Sequence, residues 1–212
     1  MAEDARARIL ARVRAALADQ GPEAAPPCSA TPPRPQWAHS RYQRFLERLE
    51  RAAATYSCLD SWGEVVVAVD RYLEENTAPR RLLIAPHPAL AALDWPAEQA
   101  QLRDENCVVA DWPVALSYAR AGIAETGSLV LPSSPASPTS LNFLPDHHLV
   151  VLETQNLVDY LEDGLELAAR EGLPRALNLI TGPSRTADIE QTLQLGAHGP
   201  RRLHVILVGK GS

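Results

Sequence analysis

The sequence predicts an α/β fold: an open, mostly parallel sheet flanked by helices, with a helical extension at the N-terminus. Three observations predict it. In the second half, apolar runs at Val114–Tyr118, Ser128–Leu131, His148–Glu153, Ala176–Ile180 and Leu203–Val208 alternate with segments bearing helix signals, the pattern of an α/β domain. The stretch Arg175–Gly209 reads as strand, loop, helix and strand, a unit that normally closes right-handed into a parallel sheet. The 212 residues, 46% hydrophobic and 22% charged, suffice for one real core and a small appendage.

Residues 1–36 form the appendage and 37–212 the α/β domain. Asp4–Leu17 places Ile9, Leu10, Val13 and Leu17 at helical spacing, with arginines at 6, 8, 12 and 14 between them. Pro22, Pro26, Pro27, Pro32, Pro33 and Pro35 follow, so this helix is tethered rather than integrated. It reads as a docking arm for a partner or a second copy, against the plainer reading of an arm packed on its own domain. Helices are expected over Tyr42–Tyr56 and Trp62–Glu75, the latter with Ser61 and Glu64 as a capping box. Arg81–Ala85 is the first clear strand, and Pro86-His87-Pro88 ends it. Cys107–Ala110 is left as strand or loop, and Ala119–Gly127 reads as a connector of small residues. Ser137–Leu144 holds a short helical turn. A helix over Asn156–Arg170, capped by Asn156 with Asp159 in its first turns, stops at Gly172-Leu173-Pro174. The last helix is expected from Thr186 as N-cap to Gly196, with Asp188 and Glu190 in its first turn.

Composition excludes several functions. A net charge of −6 leaves no basic excess for nucleic acid or anionic membranes. No apolar run reaches the roughly 20 residues of a membrane span, and MAEDARARIL has no signal core, so a cytoplasmic location is expected. Cys28, Cys58 and Cys107 are odd in number and far apart, fewer than a four-thiolate iron–sulfur site needs. No dinucleotide fingerprint, phosphate-loop motif or metal-ligand spacing is present. His147 and His148 are adjacent in a strand lead-in and point to opposite faces.

Two stretches carry candidate chemistry. The loop Thr181-Gly182-Pro183-Ser184-Arg185-Thr186 would lie between a strand's carboxyl end and a helix's amino end, where backbone N–H groups collect and a small anionic ligand binds readily. Ser184, Arg185 and Thr186 would add hydroxyls and a donor fork, with Asp188 and His198 nearby in sequence. The plainer reading has Ser184 and Thr186 capping the helix while Arg185 pairs with Asp188 or Glu190. Glu125-Thr126-Gly127 would follow the strand Val114–Tyr118 at the same edge. Its carboxylate is either a base, nucleophile or hydroxyl acceptor, or the cap of backbone N–H groups. His87 is either a site residue at a strand's carboxyl end or an ordinary loop histidine.

The segments GIAETGSLVLPSS (Gly122–Ser134) and TGPSRTADIEQTLQLGAHGPRRLHVILV (Thr181–Val208) resemble the LutC/YkgG family, the LUD-domain proteins of bacterial lactate utilisation operons. The resemblance is strong from Ala121 onward. It implies a fold like the sugar-phosphate isomerase and CoA-transferase (NagB/RpiA-like) superfamily, and a subunit required to oxidise L-lactate to pyruvate. It implies no cofactor on this chain and iron–sulfur clusters on partner subunits of a lactate utilisation complex. In CoA transferases a glutamate on a Gly-bearing loop accepts the acyl group, which by fold-level analogy singles out Glu125. The different-class alternative is a stand-alone enzyme or binding protein for a phosphorylated or CoA-linked molecule at the Glu125/Ser184–Arg185 edge. A third is a non-catalytic scaffold that clasps another chain through the N-terminal arm. His198 before Gly199-Pro200 matches the family motif on a connection leading away from the expected helix.

Overall fold

Strands covered on both faces read as near-continuous apolar runs, and the runs VALSY, HHLVVLE and RLHVILV are the middle of a six-stranded parallel sheet. The computed structural model describes residues 2–18, 34–170, 172–187, 193–195 and 199–211. The chain divides into two units, Met1–Trp37 and Ala38–Ser212. The first contains helix α1 (Ala2–Ala18), on which Ile9, Leu10 and Val13 are exposed.

In the second unit α2 (Arg41–Arg51) leads into β1 (Thr55–Leu59), and a 3-10 turn at Trp62–Glu64 leads into α3 (Val65–Glu75). Next come β2 (Leu82–Ile84), α4 (Pro88–Ala91), β3 (Ala100–Leu102), β4 (Val114–Tyr118), β5 (Ala121–Ile123) and β6 (Ser128–Pro132). After a 3-10 turn at Thr139–Asn142 follow β7 (His147–Glu153), β8 (Leu157–Val158), α5 (Leu161–Ala169), β9 (Leu177–Ile180), β10 (Arg185–Ala187), β11 (Leu193–Leu195) and β12 (Arg202–Val208).

The main sheet has the order β1-β12-β7-β4-β2-β3, with every pairing parallel. Its period of two separates the cores. Leu149 and Val151 of β7 and Ile206 of β12 pack with Val65, Val69 and Leu73 of α3 on one face. Val150, Leu152, Val205 and Leu207 pack with Phe45 and Leu49 of α2 on the other, together with Leu129 and Leu131 of β6. Those last two belong to a second sheet, β8-β5-β6-β9, whose opposite face meets α5 through Ile123, Val130 and Ala168.

The expected mostly parallel sheet is therefore present, and five local expectations are corrected. The helix expected over Tyr42–Tyr56 ends at Arg51, because Ala52–Ala54 turn, with Ala53 at φ 60°, into β1. The connector Ala119–Gly127 contains β5, which pairs with both β6 and β8. The helix expected from Asn156 begins at Leu161, since Leu157 and Val158 pair with Gly122 and Ile123. Asp159 leaves that run for Arg41 and Arg44 on α2.

The helix expected over Thr186–Gly196 is not formed at its described ends. Arg185–Ala187 and Leu193–Leu195 pair antiparallel, with Thr186 opposite Gln194. Asp188, Glu190, Gly196 and His198 lie outside the described residues. Strand β9 does not continue into a parallel unit with β12: it runs antiparallel to β6 in the second sheet.

Capping at Ser61 is as expected. The Ser61 backbone N–H and hydroxyl both donate to the Glu64 carboxylate, at 3.0 and 2.9 Å. Among the described residues no helix is long and apolar enough to cross a membrane.

Candidate functional site

In an open parallel sheet, ligands bind beyond the carboxyl ends of the strands. Register brings three such ends together: Ile84 of β2 faces Leu116 of β4, and Tyr118 of β4 faces Val151 of β7. His87, two residues past Ala85, stacks on Tyr118 with ring centroids 4.1 Å apart and planes 13° apart. Trp62 stacks on Tyr118 at 6.1 Å. The Tyr118 hydroxyl donates to Glu153 Oε1 at 2.8 Å and accepts from Asn156 Nδ2 at 3.1 Å, while Gln155 Nε2 donates to Glu153 Oε2 at 2.5 Å. A cavity of about 410 Å³ opens beside this stack, lined by His87, Tyr118, Arg120 and serines 133, 134 and 137.

The electrostatics follow from burial. Desolvation lowers the His87 pKa, with Glu153 pulling it up and Arg120 pushing it down, so the imidazole is neutral at pH 7. Its Nδ1 accepts the Ala89 N–H at 3.3 Å, which puts the ring proton on Nε2. Burial and the hydrogen bond to Glu153 raise the Tyr118 pKa, so the phenol remains a donor throughout the physiological range. The site thus offers a neutral imidazole N–H, hydroxyls and a guanidinium, a set suited to a small carboxylate with an adjacent oxygen. The fold moves His87 from the plainer loop reading into a half-buried stack. Tyr118, Glu153 and Arg120 were not singled out in the sequence. The available signal was a polar or aromatic residue closing a buried apolar run, as in VALSY and HHLVVLE.

The two stretches singled out in the sequence meet elsewhere, on the last turn of α2. Gly127 sits at φ +73°, and a Cβ there would lie 2.6 Å from Arg48 Cβ. Gly182 sits at φ +78°, and a Cβ there would lie 2.3 Å from the Ala52 carbonyl oxygen. Both positions therefore demand glycine twice over, for backbone conformation and for space. A chain of hydroxyls, Thr126 to Ser128 to Thr181, links the two stretches with 2.6 Å at each step. Arg185 Nη2 donates to the Ala52 carbonyl at 2.9 Å, satisfying an orphan acceptor at the C-terminus of α2.

The structure does not bring Glu125 to Ser184 or Arg185. Glu125 Oε2 accepts the Leu161 N–H at 3.3 Å at the start of α5, the capping alternative of the sequence analysis. Nor does the Thr181–Arg185 loop share the edge of Tyr118. Ser184 N–H donates to the Pro200 carbonyl, and Arg201 and Arg202 N–H groups donate to the Asp146 carbonyl, which are the lead-ins of β12 and β7. These bonds place the carboxyl end of β9 beside the amino end of the main sheet. The loop precedes a strand rather than a helix, so it has no helix N-terminus with which to hold an anion.

The LUD domain model matches residues 42–208. The chain belongs to the LUD domain family. Lactate utilization protein C of Deinococcus radiodurans is 30% identical over 213 residues, covering 97% of this LUD chain and 96% of that protein. An uncharacterized protein of Neisseria meningitidis serogroup B is 40% identical over 94 residues, 43% of this chain and 40% of that one. Lactate utilization protein C of Bacillus subtilis is 30% identical over 161 residues, covering 70% of this chain and 63% of that protein. The crystal structure of a DUF162 family protein from Deinococcus radiodurans superposes with a TM-score of 0.61 at 26% identity, covering 81% of this chain and 99% of that one.

Proposed function

We propose that this LUD protein is a LutC-type component of L-lactate utilisation that binds a small 2-hydroxy or 2-oxo carboxylate in the carboxyl-end cavity. The end-to-end similarity to Lactate utilization protein C of Deinococcus radiodurans carries the reading. The cavity's chemistry supports it: the Arg120 guanidinium suits the carboxylate, and the His87 Nε2–H suits the neighbouring oxygen. Oxidising lactate to pyruvate removes two electrons and two protons. In this proposal iron–sulfur clusters on partner chains would accept the two electrons one at a time and solvent the two protons, while this chain binds and orients the carboxylate. Helix α1, with Ile9 63% and Val13 50% exposed, is the proposed docking arm for a partner or a second copy.

The test is calorimetric titration of the full chain with L-lactate and pyruvate, beside growth on L-lactate of a strain lacking its own lactate utilization protein C. Wild type is expected to bind one of the two acids and restore growth. Arg120→Met and His87→Phe are expected to fold, bind at least tenfold more weakly and fail to restore growth. Full rescue by both variants would remove the carboxylate from this cavity.

A further inference from the structure

Strand β3 is an edge strand of the main sheet. At that edge an apolar groove of about 350 Å³ is walled by Val66, Val69 and Leu73 of α3, Leu82 of β2, and Trp95 and Pro96. The Trp95 indole N–H donates to the Leu90 carbonyl at 2.7 Å, which fixes that wall. Val67 stands at the lip and is 68% exposed. An apolar trough with an apolar lip open to water is the form of a surface that receives an amphipathic helix.

The charge around the groove is negative. Arg80 lines it but is held by Asp70 and by Gln99 Oε1, the latter at 3.3 Å, so the Arg80–Asp70 pair adds no net charge. Glu74 follows Asp70 by one turn, on the same stripe of α3 as Val67. Glu98 stands between the lining residues Pro96 and Gln99, and both glutamates are exposed. Helix α1 is the complement. Ile9 and Val13, one turn apart, are 63% and 50% exposed, and arginines 6, 8, 12 and 14 flank them against only Glu3 and Asp4.

We propose that the groove seats α1 of a second copy of this chain, two copies exchanging arms about a two-fold axis so that each gives one arm and one groove. Ile9 and Val13 enter the trough beside Val67, and the arginines meet Glu74 and Glu98. Six prolines lie between Pro22 and Pro35, the composition of a semi-rigid spacer, which favours a second copy over the arm's own domain. The inference rests on the docking-arm reading of α1 and deepens it. It is independent of the carboxylate cavity, since none of these residues lines that cavity.

The experiment is sedimentation velocity of the full chain. Wild type is expected to be a dimer at micromolar concentration, weakened at least tenfold by molar salt as the arginine contacts are screened. Val67→Arg in the groove, and the pair Ile9→Glu with Val13→Glu in the arm, alter exposed side chains and are expected to fold. Each is expected to raise the dimer dissociation constant at least tenfold. An equimolar mixture of the groove variant and the arm variant is expected to regain a heterodimer, because one intact arm then meets one intact groove. Monomeric wild type, dimers that survive either variant, or a mixture that stays monomeric would overturn the proposal. Monomeric wild type that still captures a partner through residues 1–35 would overturn it while leaving the docking arm standing.

Discussion

Asp159 separates two accounts of the same residue by magnitude. As an exposed carboxylate in the first turn of a helix, the role its sequence context suggests, it would contribute about 0.3–1 kcal/mol. In the structure it accepts from Arg41 Nε and Nη2 at 3.0 and 2.7 Å and from Arg44 Nη2 at 2.5 Å, and the Arg44 side chain is only 7% exposed. Removing one partner of a buried pair costs about 3–5 kcal/mol. Because the Asp159 side chain is 30% exposed, water screens part of that, and Asp159→Asn is expected to cost roughly 2–4 kcal/mol. For a domain of this size that is a fall in Tm on the order of 4–16 °C. Burial alone would raise the Asp159 pKa, but the two arginines outweigh it and hold the pKa below the usual carboxylate range. The sign follows. The stabilisation is fully present above the ordinary Asp pKa of about 4 and is lost as pH falls through the lower folded value. Urea unfolding of wild type and Asp159→Asn at pH 7 and in steps down to pH 3 measures both. The variant is expected to lie below wild type at pH 7, with the gap narrowing as pH falls through the acid range. A difference under about 1 kcal/mol at pH 7, or a gap that does not narrow between pH 5 and pH 3, would refute the account.

Other outcomes follow from the same geometry. Gly182→Ala combines a left-handed backbone with a Cβ 2.3 Å from the Ala52 oxygen, and is expected to cost about 2–4 kcal/mol by chemical denaturation; a loss under 1 kcal/mol would mean the loop can move. Arg185→Ala removes one donor to the Ala52 carbonyl and is expected to cost about 0.5–1.5 kcal/mol, while lactate or pyruvate affinity by calorimetry is unchanged. Glu125→Gln retains an acceptor for the Leu161 N–H and is expected to change stability by under about 1 kcal/mol; loss of growth on L-lactate in that folded variant would instead give the carboxylate a chemical role. Deleting residues 1–35 is expected to abolish partner association in pull-down while the remainder melts cooperatively.

The sheet was legible where burial on both faces writes itself into composition. Val114–Tyr118 is the observed β4, and the expected runs at His148–Glu153 and Leu203–Val208 each fall one residue inside β7 and β12. Short or small-residue strands were not legible. Ala121-Gly122-Ile123 looks like a connector because Gly122 has no side chain, yet a Cβ there would lie 2.5 Å from Leu152. Tyr42–Tyr56 looked like one helix because Ala52–Ala54 are good helix formers, and tertiary pairing of Thr55–Leu59 with β12 overrode that preference. The site was harder, since its contacts are long-range. His87 stood out between two prolines, whereas Tyr118 and Glu153 become partners only when β4 and β7 are set side by side. The hydroxyl chain from Thr126 to Thr181 likewise joins residues 53 apart at its longer step.

The two segments that carry the family resemblance turn out to be a packing joint. Their glycines, Gly127 and Gly182, rest on one turn of α2, and their hydroxyls bridge β6 to the end of β9, which fixes the second sheet against α2. A Cβ at either position would push that sheet away from Arg48 or Ala52, so the motif states a requirement of the fold. The carboxyl-end cavity is lined mainly by residues outside the joint, with His87, Tyr118 and Arg120 all lying before Gly122. Family membership therefore argues strongly for the architecture and weakly for the ligand. Discrimination between one small carboxylate and another has to be sought at His87 and Arg120, whose side chains can be exchanged without touching the joint.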